Sequence, residues 1–146
     1  MKISIASDHA GFTLKERLKD KLKSEGHDVF DRGCFDESSA DYPDFGIIAA
    51  RDVADGVTER AVLVCGSGIG MSMVANKVRG VRAALCTNAV MAEMSRLHND
   101  ANVLTLGARY TDENDALEIL DIWMKTSFEG GRHQRRVDKI GKLGDY

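Results

Sequence analysis

Short apolar runs alternate along this chain with segments whose apolar residues recur every three to four positions. Ile3-Ser4-Ile5-Ala6 reads as a strand that ends at Ser7-Asp8-His9. From Gly11 to Ser24, Phe12, Leu14, Leu18 and Leu22 recur amid Lys, Arg, Glu and Asp, which predicts an amphipathic helix. Gly26 stops it, and His27-Asp28-Val29-Phe30 supplies a second short strand. A polar loop from Arg32 to Pro43 leads into a helix over residues 44–55, closed by Gly56. Ala61 to Val64 is a third strand, and Met71 to Lys77 continue as a helix after a glycine-rich turn. Val81 to Cys86 is a fourth strand followed by a helix from Ala89 to Leu97. Val103 to Leu106 is a fifth, followed by a helix from Asn114 to Thr126. Past Gly130-Gly131 a basic segment runs to Tyr146, helical near its start.

Strict alternation of strand and helix implies right-handed crossovers and a parallel sheet covered on both faces. The expected fold is α/β: a three-layer α/β/α sandwich on a five-stranded, Rossmann-like parallel sheet with a C-terminal helical tail. No internal repeat, low-complexity stretch or Pro/Ser-rich linker divides residues 1–146, so a single domain is expected. Ligands of such sheets sit beyond the carboxyl ends of the strands. That directs attention to Asp8-His9, Cys65 to Gly70, Thr87-Asn88 and Gly107 to Arg109.

Composition narrows the partners. A net charge of −3 gives no global reason to expect nucleic acid or a membrane surface. No apolar run approaches the roughly 18 residues of a membrane span. The N-terminus passes from Lys2 into a strand and shows no signal-peptide pattern. Cysteines 34, 65 and 86 form no CxxC pair, so reduced thiols and a cytoplasmic location are expected.

The chemistry concentrates at Cys65-Gly66-Ser67-Gly68-Ile69-Gly70, directly after the third strand. A strand that empties into a glycine turn and then a helix gathers backbone N–H groups, a geometry that attracts anions and stabilises a thiolate. Three familiar versions of such a turn fail on spacing. A dinucleotide fingerprint would need Gly or Ala where Met71 or Met73 stands, and Cys86-Thr87-Asn88 offers no acid for a ribose. A mononucleotide loop needs a Gly-Lys-Ser/Thr sequence, and the first lysine is Lys77. A cysteine phosphatase loop needs arginine where Met71 stands. Cys65 can be a small buried residue closing a core strand, but the glycine turn behind it favours a reactive thiolate. Cys34 and Cys86 lack that context and are expected to be core residues.

Basic residues supply partners. His98, before Asn99-Asp100, is either a helix C-terminal cap or a general acid/base near neutral pH. Asp8 is either an N-cap or a ligand contact. In Gly131-Arg132-His133-Gln134-Arg135-Arg136, Arg132 and Arg136 are four apart and share a helix face, an arrangement suited to a phosphate dianion. A solvated basic tail is the alternative. Arg109, just past the fifth strand, is a further phosphate candidate.

These residues together resemble the type B ribose-5-phosphate isomerase family, which also contains allose- and galactose-6-phosphate isomerases. The matching pieces are Ser7-Asp8-His9-Ala10-Gly11, Asp41-Tyr42-Pro43, Val64 to Gly70, Ala75-Asn76-Lys77, Ser95 to Val103, Gly107-Ala108-Arg109 and Glu129 to His133. They span essentially the whole chain. The resemblance implies that Cys65 is the base that shuttles a proton between C1 and C2 of the open-chain sugar, and that His98 assists ring opening. It implies that the turn of Gly66, Ser67, Gly68, Ile69 and Gly70, with Asn99, stabilises the enediolate oxygens. Asp8 and Tyr42 would contact the sugar, while His9, Arg109, Arg132 and Arg136 would surround the phosphate. No metal or organic cofactor is implied. Family members are dimers or dimers of dimers with shared active sites, and His98, Asn99 and Arg109 are expected to cross from the neighbour. Ser67 stands where the family often carries threonine, which keeps the hydroxyl and loses a methyl.

Two other readings remain at this point. A 6-phosphohexose could replace the pentose with the same chemistry. A non-catalytic sugar-phosphate-binding module would explain the arginines and the turn, yet gives no reason for Cys65 and His98 together. A receiver-type signalling domain is disfavoured by His9 beside Asp8 and by arginine, where such domains place lysine, after the fifth strand.

Overall fold

A computed structural model describes residues 1–143; residues 144–146, the end of the basic terminal segment, lie outside the described residues. The elements are β1 (Lys2–Ser7), α1 (Phe12–Ser24), β2 (Asp28–Asp31), α2 (Tyr42–Ala54), β3 (Arg60–Cys65), α3 (Ile69–Ala75), β4 (Ala83–Leu85), α4 (Ala89–Asn99), β5 (Val103–Gly107), α5 (Glu113–Lys125) and α6 (Arg132–Gly141). The five strands pair in parallel in the order β2-β1-β3-β5-β4. The expected three-layer α/β/α fold is therefore present.

Alternation along each strand divides the core. Ile3, Ile5, Val62, Val64, Leu104 and Leu106 face one layer, where Leu14, Leu18 and Leu22 of α1 and Ile119, Leu120 and Trp123 of α5 cover them. Ala6, Ala61, Leu63, Cys65 and Val103 face the other, against Ala49 and Ala50 of α2 and Met71 and Ala75 of α3. The small residues on this second face let α2 and α3 lie close to the sheet. Cys65 thus points into the α2–α3 layer at the carboxyl end of a central strand.

The fourth strand is shorter than the apolar run Val81 to Cys86 predicts. Only Ala83, Ala84 and Leu85 have partners in β5. Ahead of them, the Asn102 side chain accepts from the Arg82 amide at 2.7 Å, and the Asn76 side chain brackets the Ala83 backbone at 2.9 and 3.0 Å. Side chains thus take over the edge-strand backbone where the ladder stops. α2 begins at Tyr42, two residues earlier than the sequence suggests, because Pro43 suits the first turn of a helix.

Candidate active site

The turn after β3 is built around its cysteine. Cys65 is 4% exposed, and the Gly68 amide donates to its Sγ over 3.1 Å. Gly68 holds φ +78°, and a Cβ there would lie 2.5 Å from Leu85 Cδ1 and 2.8 Å from the Leu106 carbonyl carbon. Both conditions demand glycine. The Ser67 hydroxyl accepts from the Ile69 amide at 3.2 Å. The Gly66, Ser67 and Gly70 amides have no partner among the described residues. With only seven residues, α3 carries a small dipole, so the amides themselves are the anion donors here.

Neighbouring segments close around this turn. The Ala108 and Arg109 amides donate to the Cys65 and Gly66 carbonyls at 2.9 and 3.0 Å, lacing the end of β5 onto it. A Cβ on Gly66 would stand 3.0 Å from Arg109 Nη1, and one on Gly70 would stand 2.6 Å from the Tyr42 ring. Glycines thus admit a guanidinium on one side and a phenol on the other. Asp8, 7% exposed at the end of β1, accepts from the Gly11 amide at 3.0 Å, so it supports the entry to α1 and also lines the cavity. The resulting cavity of about 410 Å³ is lined by Asp8, Tyr42, Cys65, Arg109, Met73, Tyr110 and the turn itself.

His9 stands next to this cavity. Its Nδ1 lies 3.1 Å from the Ala40 amide nitrogen and 3.2 Å from the Ala40 carbonyl oxygen, tying the loop before α2 to the end of β1.

The remaining predicted residues lie elsewhere in the chain. α4 returns antiparallel to the strands, so His98 and Asn99 at its C-terminus sit at the amino ends of the strands. The Asn99 carbonyl accepts from Arg82 Nε at 3.2 Å, just ahead of β4. Cys65 is at the opposite end of β3, and six strand residues span ~20 Å. Within one chain His98 and Asn99 are therefore apart from the cysteine. Arg132 and Arg136, both exposed on α6, belong with His98, because α6 packs on α4.

Around His98 the structure adds two residues that the sequence reading did not single out as site residues. The His133 ring stacks on the His98 ring with centroids 4.3 Å apart and planes 14° from parallel. Glu129 Oε2 lies 3.8 Å from His98 Nε2 and 3.5 Å from His133 Nε2. His133 is 6% exposed, and its Nε2 has no hydrogen-bond partner. Burial, then the adjacent His98, holds the His133 imidazole below its usual pKa. Two imidazoles and a carboxylate within 4.8 Å resemble a zinc ligand set. However, near-parallel rings direct their lone pairs along parallel lines and not toward one centre.

Arg109 lines the Cys65 cavity of its own chain, where the resemblance implied that it crosses from a neighbour. Thr87 and Asn88 do not line that cavity, and Asn88 caps α4 by accepting from the Met91 amide at 2.9 Å. The other candidates form two halves within a chain, one around Cys65 and one around His98, with His98 and Asn99 apart from the cysteine as a site shared between copies requires. Met73 and Tyr110 joined the cavity without being foreseen. Tyr110 follows Arg109 directly, and Met73 is one helical turn past Gly70. Cys34 and Cys86 are buried as expected, and burial pushes the Cys86 thiol up.

A family model for ribose/galactose isomerases matches residues 3–140. The chain belongs to the ribose/galactose isomerase family. Relatives in this family include the ribose-5-phosphate isomerase B of Escherichia coli, 41% identical over 139 residues and covering 95% of this chain and 93% of its own. The fold superposes on Clostridium thermocellum ribose-5-phosphate isomerase B with a TM-score of 0.97 and 52% identity, over 98% of this chain and 97% of that one. The Mycoplasma genitalium ribose-5-phosphate isomerase B, solved with bound ribulose-5-phosphate, gives a TM-score of 0.92 and 43% identity, over 96% and 93% of the two chains. The family's fold and length are thus shared throughout.

Proposed function

We propose that the protein interconverts ribose 5-phosphate and ribulose 5-phosphate, with Cys65 as the carbon-acid base. The observation that carries this is the Cys65 sulfur, 3.1 Å from the Gly68 amide, in a cavity it shares with Arg109. The relative bound to ribulose-5-phosphate supports the choice of a pentose.

The Cys65 thiolate takes the C2 proton of the open-chain aldose, giving a cis-enediolate with its charge on O1; the O2 hydroxyl proton passes to O1, and the cysteine returns its proton to C1 as C2=O2 forms. Negative charge develops on the sugar oxygens next to the free Gly66, Ser67 and Gly70 amides, which are already oriented. Asn99 adds a donor from the second half of the site. Asp8 and Tyr42 hold the sugar hydroxyls. His9, Arg109, Arg132 and Arg136 hold the phosphate, whose binding energy fixes a flexible open chain.

Ring opening belongs to His98. The C1–O4 bond breaks, its electron pair goes to O4, O4 gains a proton, and the O1–H proton leaves as C1=O1 forms. A neutral imidazole can perform both transfers. His98 reaches the sugar only if a second copy brings its α4 and α6 to the Cys65 cavity, so the reading requires a homodimer with shared sites. The three buried, unpaired cysteines fit a reducing compartment such as the cytoplasm. Among the described residues, no helix is long and apolar enough to cross a membrane.

The test is a parallel assay on ribose 5-phosphate, allose 6-phosphate and galactose 6-phosphate. Highest kcat/KM on the pentose is expected. A preference for either hexose would overturn the substrate, and tight binding with no exchange of the C2 proton into solvent would overturn the isomerase reading.

A further inference from the structure

We propose that His133 is a positioning residue for ring opening, its buried ring serving as the platform that fixes the His98 imidazole. This rests on the reading that His98 opens the furanose. Four observations carry it. The two rings are stacked at 4.3 Å and nearly parallel, so His133 packs against one face of His98. His133 is 6% exposed while the His98 side chain is 39% exposed, so the buried ring is the fixed member and His98 the working one. The His133 Nε2 is buried without a hydrogen bond, a costly arrangement for a merely structural core position. Glu129 brackets both Nε2 atoms, and its own amide is anchored on the Leu97 carbonyl at 3.1 Å, one residue before His98.

Burial, then the adjacent His98, with Arg132 and Arg136 on α6, holds the His133 imidazole below its usual pKa, and Glu129 opposes them. Without the platform, the His98 ring would turn about its side-chain torsions and lose its aim at O1 and O4. Loss of orientation alone commonly costs more than a factor of ten. The same helix carries Arg132 and Arg136 on its exposed side, so the ring-opening group and the phosphate anchors are held in one frame.

The two substrates allow a test that a general structural role would not satisfy. Ribose 5-phosphate is mainly a furanose and must be opened. Ribulose 5-phosphate carries its phosphate on O5 and cannot form a furanose, so it enters open. In the His133→Ala variant, turnover of ribose 5-phosphate should fall about tenfold or more. Turnover of saturating ribulose 5-phosphate, whose aldose product can leave as the open chain and close in water, should stay within about twofold of the parent enzyme, which also shows that the variant is folded. His133→Phe retains a stacking ring and should recover most of the loss. Equal losses in both directions would overturn the proposal, because a displaced α6 weakens phosphate binding for both sugars. Failure of His133→Phe to exceed His133→Ala would overturn it as well. His98→Asn is the control: if it shows no directional asymmetry, the ring-opening role of His98 itself fails, and if it does while His133→Ala does not, only the platform fails.

Discussion

The Gly68 amide donates to the Cys65 sulfur over 3.1 Å, which makes the strand end and the turn behind it one chemical unit. The same turn presents amides to the oxygen that becomes charged when the sulfur acts as a base. Base and oxyanion donors are therefore positioned by a single backbone path. Replacing Cys65 by alanine removes the base and leaves the turn. We expect kcat to fall by about 10³-fold or more, with binding of inorganic phosphate unchanged. Steady-state kinetics and calorimetric phosphate titration check both halves of that statement. Retention of most activity would sink the assigned base.

Gly68→Ala tests the turn itself. The new Cβ would meet Leu85 and the Leu106–Gly107 backbone at a residue already held at φ +78°. A non-glycine residue held in that region costs about 1–3 kcal/mol, and the overlap adds to it. The variant should melt earlier than the parent and should lose kcat as well, since the amide facing Cys65 must shift. A variant that is less stable but fully active would show that the sulfur does not depend on this amide.

The turn and its cysteine were legible because each has a local signature. Ala61 to Val64 is a continuous apolar run, the glycines follow at once, and spacing against Met71 and Met73 removes the nucleotide readings. The helices around the sheet were legible for the same reason, through positions such as Leu14, Leu18 and Leu22. The separation of His98 from Cys65 was legible only through the family resemblance and not from the local pattern, because it depends on the direction in which α4 returns along the sheet. His133 was hidden for a different reason. Its sequence neighbours are arginines, which make the segment look uniformly solvated, and its relation to Glu129 runs through Gly130-Gly131. The stacking on His98 arises only when α6 docks on α4. The strand order, with β5 between β3 and β4, is likewise a tertiary result, and it is what brings Arg109 beside Gly66.

Asp31 anchors a buried cation beneath the loop that leads to His9's partner. Lys15 is fully buried, with its Nζ 2.7 and 2.9 Å from the two Asp31 oxygens and 2.7 Å from the Cys34 carbonyl. Burial opposes the Asp31 charge, but hydrogen bonds from Lys15, Lys19 and the Gly33 amide together hold its carboxyl below the usual value of 3.8. A carboxyl with a lowered pKa contributes stability that is present above 3.8 and lost as pH falls through the lowered value. Asp31→Asn leaves the lysine charge buried and should cost about 3 kcal/mol at neutral pH. Denaturant unfolding across pH should show the difference between parent and variant shrinking only in the acid range below 3.8. A difference independent of pH would mean that the ion pair is not its source.

The two halves of the site make the strongest prediction about assembly. If Cys65 of one copy works with His98 of another, then Cys65→Ala and His98→Asn each disable every site in their own homodimers. A mixed dimer behaves differently: one of its sites carries both substitutions and the other carries neither. Random exchange at equal concentrations makes half the dimers mixed, each with one intact site, so activity on ribose 5-phosphate should return to about a quarter of the parent value. The mixture is formed by unfolding and refolding the two variants together, and the same variants refolded separately and then combined provide the baseline. Because neither variant alone supplies an intact site, recovered turnover can come only from sites shared between copies. Recovery no greater than the baseline, in a mixture shown by mass spectrometry to contain mixed dimers, would place His98 and Cys65 in separate functions and remove the ring-opening role from α4.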